Sequence, residues 1–110
     1  MKVIDSIPVA TVWSGHPVRF DLLTHKGRQY IAFYDAKRKM TVGQRRLGET
    51  EFELYQLTGK WIEARGRLST DIAWDSHNSI TMAVDRDDRI HLCGNMHVDP
   101  LIYFRTKTPL

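Results

Sequence analysis

The sequence lacks most of the features that would mark it at once as a membrane protein, a disulfide scaffold or a nucleotide enzyme. It has a single cysteine, Cys93, so no internal disulfide can form. Cys93 lies inside an apolar run, where a small buried hydrophobe is expected. No apolar stretch approaches the ~20 residues that a helix needs to span a bilayer. The opening "MKVIDSIPVATVW" carries one lysine, but no adequate apolar stretch and no small-residue cleavage site, so no export signal is visible. A Gly-rich phosphate loop and a nucleophile elbow are both missing. Charge of one sign is also scarce: 16 basic against 13 acidic residues leave a formal charge of +3. The basic groups "KGR", "KRK", "RR" and "RGR" are scattered over turn positions with no aromatic pattern beside them. They read as solvated loop ends, so neither nucleic acid nor a membrane is expected as a partner.

What is present is an ordinary globular mixture, 42% hydrophobic and 26% charged over 110 residues, enough for one small domain with a modest core. Strand signals dominate it. "RFDLLTH" (19–25), "RQYIAFYD" (28–35), "MTVGQRRL" (40–47) and "EFELYQL" (51–57) are short and rich in β-formers, and turn residues separate them. The joint "HKGR" puts Gly27 where a tight hairpin needs a positive φ. In "EFELYQL", Phe52 and Leu54 alternate with Glu51 and Glu53, the period of a strand with one wet face. These four strands predict an antiparallel meander. The next segment, 58–78, shows no strong alternation and reads as an extended connection or insertion, with "KWIEARGRL" able to supply a helical turn or a short strand. Strands then resume in "SITMAVD" (79–85), "RIHLCGN" (89–95) and "LIYFRTK" (101–107).

A shift of sixty positions lays "LLTHKGRQYIAFYD" (22–35) on "MAVDRDDRIHLCGN" (82–95) without a gap. Leu22 then meets Met82, Leu23 meets Ala83, Tyr30 meets Ile90 and Ala32 meets Leu92. Repeated antiparallel meanders of this size are the mark of a β-propeller, with one blade per unit. The expected fold class is therefore all-β, with about two four-stranded blades: units at about 18–57 and 79–107, joined by 58–78. A propeller closes with ~4–8 blades, and two would leave open sheet edges. The expectation is thus that the chain is the N-terminal part of a longer propeller. A small two-sheet β-sandwich is the alternative.

The chemistry-bearing candidates are histidines. His25 falls in the first hairpin turn, where a solvated role is expected. His91 lies within a strand, opposite in face to Ile90 and Leu92, and reads as a packed or hydrogen-bonded structural residue. His16, in "WSGHPV", could rim a site. His77 and His97 differ from these because both fall where the chain enters or leaves strands. The tight turn at 85–88 brings two strands side by side, so their far ends near 79 and 95 must be neighbours. Hairpin geometry thereby carries two imidazoles to one rim, where binding and catalytic groups collect. Asn78 and Asn95 accompany them and can fix a tautomer. The same pair can equally be hydrogen-bonded braces of a loop. Zinc needs three or four close ligands. Only His77, His97 and Asp75 or Asp99 offer themselves, in no compact spacing, so no metal and no other cofactor is expected.

"VWSGHPVRFDLLTHKGRQYIAFYDAKRKMTV", "WDSHNSITMAVDRDDRIHLCGNMH" and "PLIYFRT" together resemble the N-terminal blades of the BNR-repeat-containing family, which includes secreted ulvan lyases and related polysaccharide lyases. The resemblance runs from about Val12 to Thr106. It implies a propeller of about seven blades that cleaves uronic-acid polysaccharide by β-elimination, in a secreted or periplasmic parent. It also implies that His77 and His97 are catalytic, with Asn78, Asn95 and His16 near substrate. The partners implied are an acidic, uronate-containing polysaccharide and the remaining blades of the parent. The family's tyrosine and arginine partners belong to later blades, so little turnover is expected from these residues alone.

Two other functions compete with a lyase. A non-catalytic carbohydrate-binding or interaction propeller would use Trp13, Trp74 and Tyr103 as a stacking surface. A sialidase-like hydrolase needs paired carboxylates, and Asp71, Asp75, Asp85 and Asp87 suggest no convincing pair. Accessible His77 and His97 rings within a substrate's width would favour the enzyme. An enclosed ring would favour the brace.

Overall fold

The computed structural model describes residues 1–15, 19–73, 75 and 77–109. The described residues form three antiparallel sheets and no α-helix. The first sheet is a meander of β1 (Asp21–His25), β2 (Arg28–Tyr34), β3 (Met40–Arg46) and β4 (Glu53–Gln56). The last contains β7 (Ile80–Val84), β8 (Ile90–Gly94) and β9 (Ile102–Arg105). Between them, the segment read as a connection folds into a two-stranded ribbon, β5 (Trp61–Ile62) with β6 (Arg67–Leu68), around a single 3-10 turn at Glu63–Arg65. Gly66 ends that turn in the left-handed region at φ 61° and returns its N–H to Ile62 and Glu63.

Turn chemistry explains both hairpins. Lys26 and Gly27 sit at φ 45° and 76° and close a two-residue loop between His25 and Arg28, the geometry whose twist matches paired strands. The loop from Asp85 to Arg89 works differently. The Asp85 carboxylate accepts the N–H groups of Asp87 and Arg89, and Asp88 takes φ 60°. Asp35 repeats this device with Lys37 and Lys39, and Arg38 takes φ 64°.

That difference in loop length corrects the sixty-residue repeat. Tyr30 and Ile90 are both buried, as are Ala32 and Leu92, so the inner strands correspond as expected. The outer strands do not. Leu23 pairs with Tyr30 while Val84 pairs with Ile90, which makes the offset of β1 and β7 one residue greater than that of β2 and β8. A one-residue slip exchanges the two faces of a strand. Leu22 is accordingly exposed, whereas Met82 is buried. Five residues separate Val84 from Ile90 where six separate Leu23 from Tyr30, so the second hairpin is one residue shorter through its turn.

One apolar cluster joins the two larger sheets: Tyr30, Ala32, Tyr34, Met40 and Ile72 meet Ile80, Met82, Ile90, Leu92 and Ile102. Burying a large aliphatic side chain contributes about 1.5–3 kcal/mol. Ile72 belongs to the connecting segment, so that segment is part of the core. Thr70 O accepts from Met40 N at 3.0 Å, and Ile72 N donates to Arg38 O at 2.9 Å. Cys93 is half-buried rather than enclosed, since it points to the face opposite Leu92.

Candidate functional site

β7 and β8 place the site. Their pairing runs from Val84 and Ile90 at the turn to Ile80 and Gly94 at the far end, and Asn95 N donates to Ser79 O just beyond. The chain flanking that far end carries His77 on one side and His97 on the other. Their ring centroids lie 4.6 Å apart, with the planes tilted by 37°. Both side chains are accessible, 72% for His77 and 49% for His97. The rings are therefore within a substrate's width of each other, and neither is enclosed.

A third residue holds them. Asp75 is mostly buried, and its two carboxylate oxygens are divided between the rings. His77 Nδ1–H donates to Oδ1 at 2.8 Å, and His97 Nδ1–H donates to Oδ2 in a short contact. The His77 backbone N–H donates to the same Oδ1 at 2.9 Å. The Asp75 carboxyl is held well below its ordinary 3.8, chiefly by the His97 hydrogen bond and next by the His77 backbone N–H, against the opposing effect of burial. A carboxylate on Nδ1 fixes each neutral ring in the tautomer whose Nε2 carries the lone pair. Neither Nε2 makes a hydrogen bond among the described residues. Asp75, His77 and His97 also each offer one ligand atom within 4.8 Å of the other two.

The asparagines brace this arrangement from behind. Asn78, 1% exposed, accepts the His97 backbone N–H through Oδ1 at 2.9 Å. Asn95, 0% exposed, donates through Nδ2 to Ser69 O at 2.6 Å and to Asp71 O at 3.2 Å, which ties the end of β8 to the connecting segment. The tautomer-fixing role expected of these amides falls instead to Asp75, because both amides point into the protein. His16 lies outside the described residues, as does Trp74.

The loop after β8 is strained. Asn95 has φ 58° and Val98 has φ 52°. Asparagine tolerates this region, but a β-branched valine there is a genuine outlier, at a cost of about 1–3 kcal/mol. Several contacts hold it in place. Arg65 donates to Val98 O at 2.8 Å, and Arg67 donates to the Asp99 carboxylate at 2.7 Å. The arginines of "RGR" thus support the loop that carries His97, a role their scattered placement did not suggest.

The other histidines are engaged elsewhere. His91 Nε2–H donates to Asp85 at 2.8 Å, and its Nδ1 accepts from Tyr103 Oη at 2.7 Å, the hydrogen-bonded structural role expected of it. His25 is not simply solvated, because its Nε2–H donates to Asp88 across the two hairpins at 2.8 Å. An apolar groove lined by Tyr30, Val42, Leu57, Leu92 and Phe104 runs between the larger sheets and includes neither His77 nor His97.

No curated protein sequence matches the chain significantly. The family model described as "BNR repeat-containing family member" matches residues 28–110, a span that covers most of the first sheet, the whole connecting segment and the histidine rim. The chain belongs to the BNR repeat-containing family.

Proposed function

We propose that the protein supplies the paired imidazoles of a polysaccharide lyase, and that its two larger sheets are blades of a β-propeller acting on uronate-containing polysaccharide of the ulvan type. The observation that carries this reading is the shared carboxylate: Asp75 holds both Nδ1–H groups of two solvent-accessible side chains and leaves both Nε2 atoms without a hydrogen bond among the described residues. The two sheets that share one core support the blade assignment.

In β-elimination one neutral imidazole takes the proton from C5, beside the uronate carboxylate. The C5–H electron pair becomes the second bond between C4 and C5, the C4–O bond breaks, and the departing oxygen receives a proton. An imidazole suits the first step because its ordinary pKa is ~6.5. The Asp75 carboxylate stabilises the imidazolium that forms. The second ring, 4.6 Å away, can donate from Nε2, in its protonated imidazolium form, to the substrate carboxylate or to the leaving oxygen, where negative charge develops. Asn78 and Asn95 hold the two chain ends in register for this.

A carbohydrate-binding surface without catalysis is the second reading, favoured by the exposure of Tyr103 at 54%. Titration with a uronate oligosaccharide, followed through imidazole and aromatic nuclear magnetic resonance signals, separates the two. The lyase reading expects shifts at His77 and His97, and ultraviolet absorbance from any C4=C5 product that disappears in His77→Ala and His97→Ala. Shifts confined to Tyr103 and Trp13 would replace it with the binding reading.

A further inference from the structure

We propose that Asp75, His77 and His97 also form a binding site for a divalent cation of the zinc class, and that filling it switches off the acid–base chemistry proposed above. The switching rests on the lyase reading; the cation site does not.

The donor set is two imidazole nitrogens and one carboxylate oxygen, with one ligand atom of each residue within 4.8 Å of the others. Zinc bonds of ~2.0–2.2 Å to such donors place neighbouring ligand atoms roughly 3.3 Å apart in a tetrahedron. The present contacts from Asp75 to His77 and His97 are shorter than that, at 2.8 Å and less. To admit an ion the two Asp75 contacts must spread by a few tenths of an ångström, and the three ligand atoms, all within 4.8 Å of one another, must settle to that common spacing. The two exposed rings can swing to provide it while the mostly buried carboxylate stays in place. The chemistry selects zinc and its neighbours over calcium, which asks for ~6–8 oxygens. Three protein ligands leave a position open to water, as in reactive zinc sites rather than closed structural ones. The outer support is already present, because Asn78 fixes the His97 backbone and the His77 backbone N–H steadies Asp75.

The competition follows from the tautomer. Each neutral ring now carries its proton on Nδ1, donated to Asp75, and its lone pair on Nε2. Coordination through Nδ1 moves that proton to Nε2, with no net change in proton number. The atom that served as base becomes an N–H donor. A loaded site therefore has no imidazole lone pair left to take a proton from substrate.

The test uses calorimetric titration of the purified protein with Zn²⁺ alone, and Co²⁺ as a visible spectroscopic probe. One ion per chain is expected. Asp75→Asn, His77→Ala and His97→Ala should each weaken binding by at least about tenfold, while His25→Ala and His91→Ala leave it unchanged. Binding that is absent, or insensitive to the first three substitutions, overturns the site. If those variants fail to fold, the wild-type protein decides: Zn²⁺ must move the Nδ1 signals of His77 and His97, and unmoved signals overturn the site equally. Zn²⁺ that binds there but leaves oligosaccharide-induced shifts of the same rings intact overturns the switching. An oligosaccharide that never perturbs those rings removes the lyase reading and leaves the cation site standing.

Discussion

Asp21, at the start of β1, reaches across to the last sheet and accepts the Met82 backbone N–H at 2.6 Å, with Thr81 Oγ1 donating to the same oxygen at 3.2 Å. The two sheets are thus joined by more than apolar packing. A carboxylate of the first satisfies a backbone donor on the edge strand of the second. Removing an acceptor from a shielded N–H costs about 1–3 kcal/mol. Asp21→Ala should lower stability by that amount in urea unfolding, and Asp21→Asn, which retains an acceptor oxygen, should recover part of it. Equal stability of Asp21→Ala and the wild type would show that solvent replaces the bond.

Asn78 is the buried link between the two arms of the histidine rim. Asn78→Ala removes the partner of His97 N and leaves a space where a fully enclosed side chain stood. A loss of about 1–3 kcal/mol is expected. Ring-to-ring nuclear Overhauser contacts between His77 and His97 should weaken with it. Rings that stay together in this variant would transfer the positioning role wholly to Asp75.

Val98 gives the opposite expectation. It is 67% exposed and holds φ 52°, so its side chain gains little from packing while its backbone is strained. Val98→Asn relieves that strain, because asparagine visits the left-handed region readily. Stability should rise by roughly 1 kcal/mol, seen as a higher urea midpoint. A fall would mean that the valine methyls pack usefully on the arginines beneath.

Acid should unfold the protein partly through Asp85. Hydrogen bonds, first from His91 and then from the Arg89 backbone N–H, hold its carboxyl down at about 2, against an ordinary 3.8. A carboxyl lowered by folding contributes its full stabilisation above the unfolded value and loses it as pH falls towards the folded one. Asp85→Asn should therefore flatten the stability profile between about pH 4 and pH 2, while lowering stability at neutral pH. A variant with the wild-type slope in that window would remove Asp85 from the acid response. Asp75, lowered in the same sense by His97 and His77, loses its contribution in the same direction.

Much of this architecture was legible without coordinates because its causes are local. Alternation in "EFELYQL" and "SITMAVD" specifies strands, and Gly27 specifies a tight turn. Folding 79–95 back on itself is enough to place His77 beside His97. The offset of the repeat was less legible, since the second hairpin places five residues between Val84 and Ile90 where the first places six between Leu23 and Tyr30, and composition does not reveal which residues close each turn. The connecting segment lacked periodicity because Ile72 and Thr70 enter the core singly, and a single inward residue leaves no repeating signal.

The sequence by itself determined the all-β character, the order and approximate limits of the seven longer strands, and the common rim for two imidazoles. These follow from side-chain alternation and turn preference, which act over a few residues. Only the tertiary structure decided that Asp75 would divide its carboxylate between rings on opposite arms, and that Asn78 and Asn95 would turn inward as braces. It also decided that the arginines of β6 and its preceding turn would hold the loop after His97. Apart from Asp75 with the nearby His77, those contacts join residues 19 to 33 positions apart, as Asn78 to His97 and Arg65 to Val98 show. They are fixed by how irregular segments pack against one another, which no local pattern encodes.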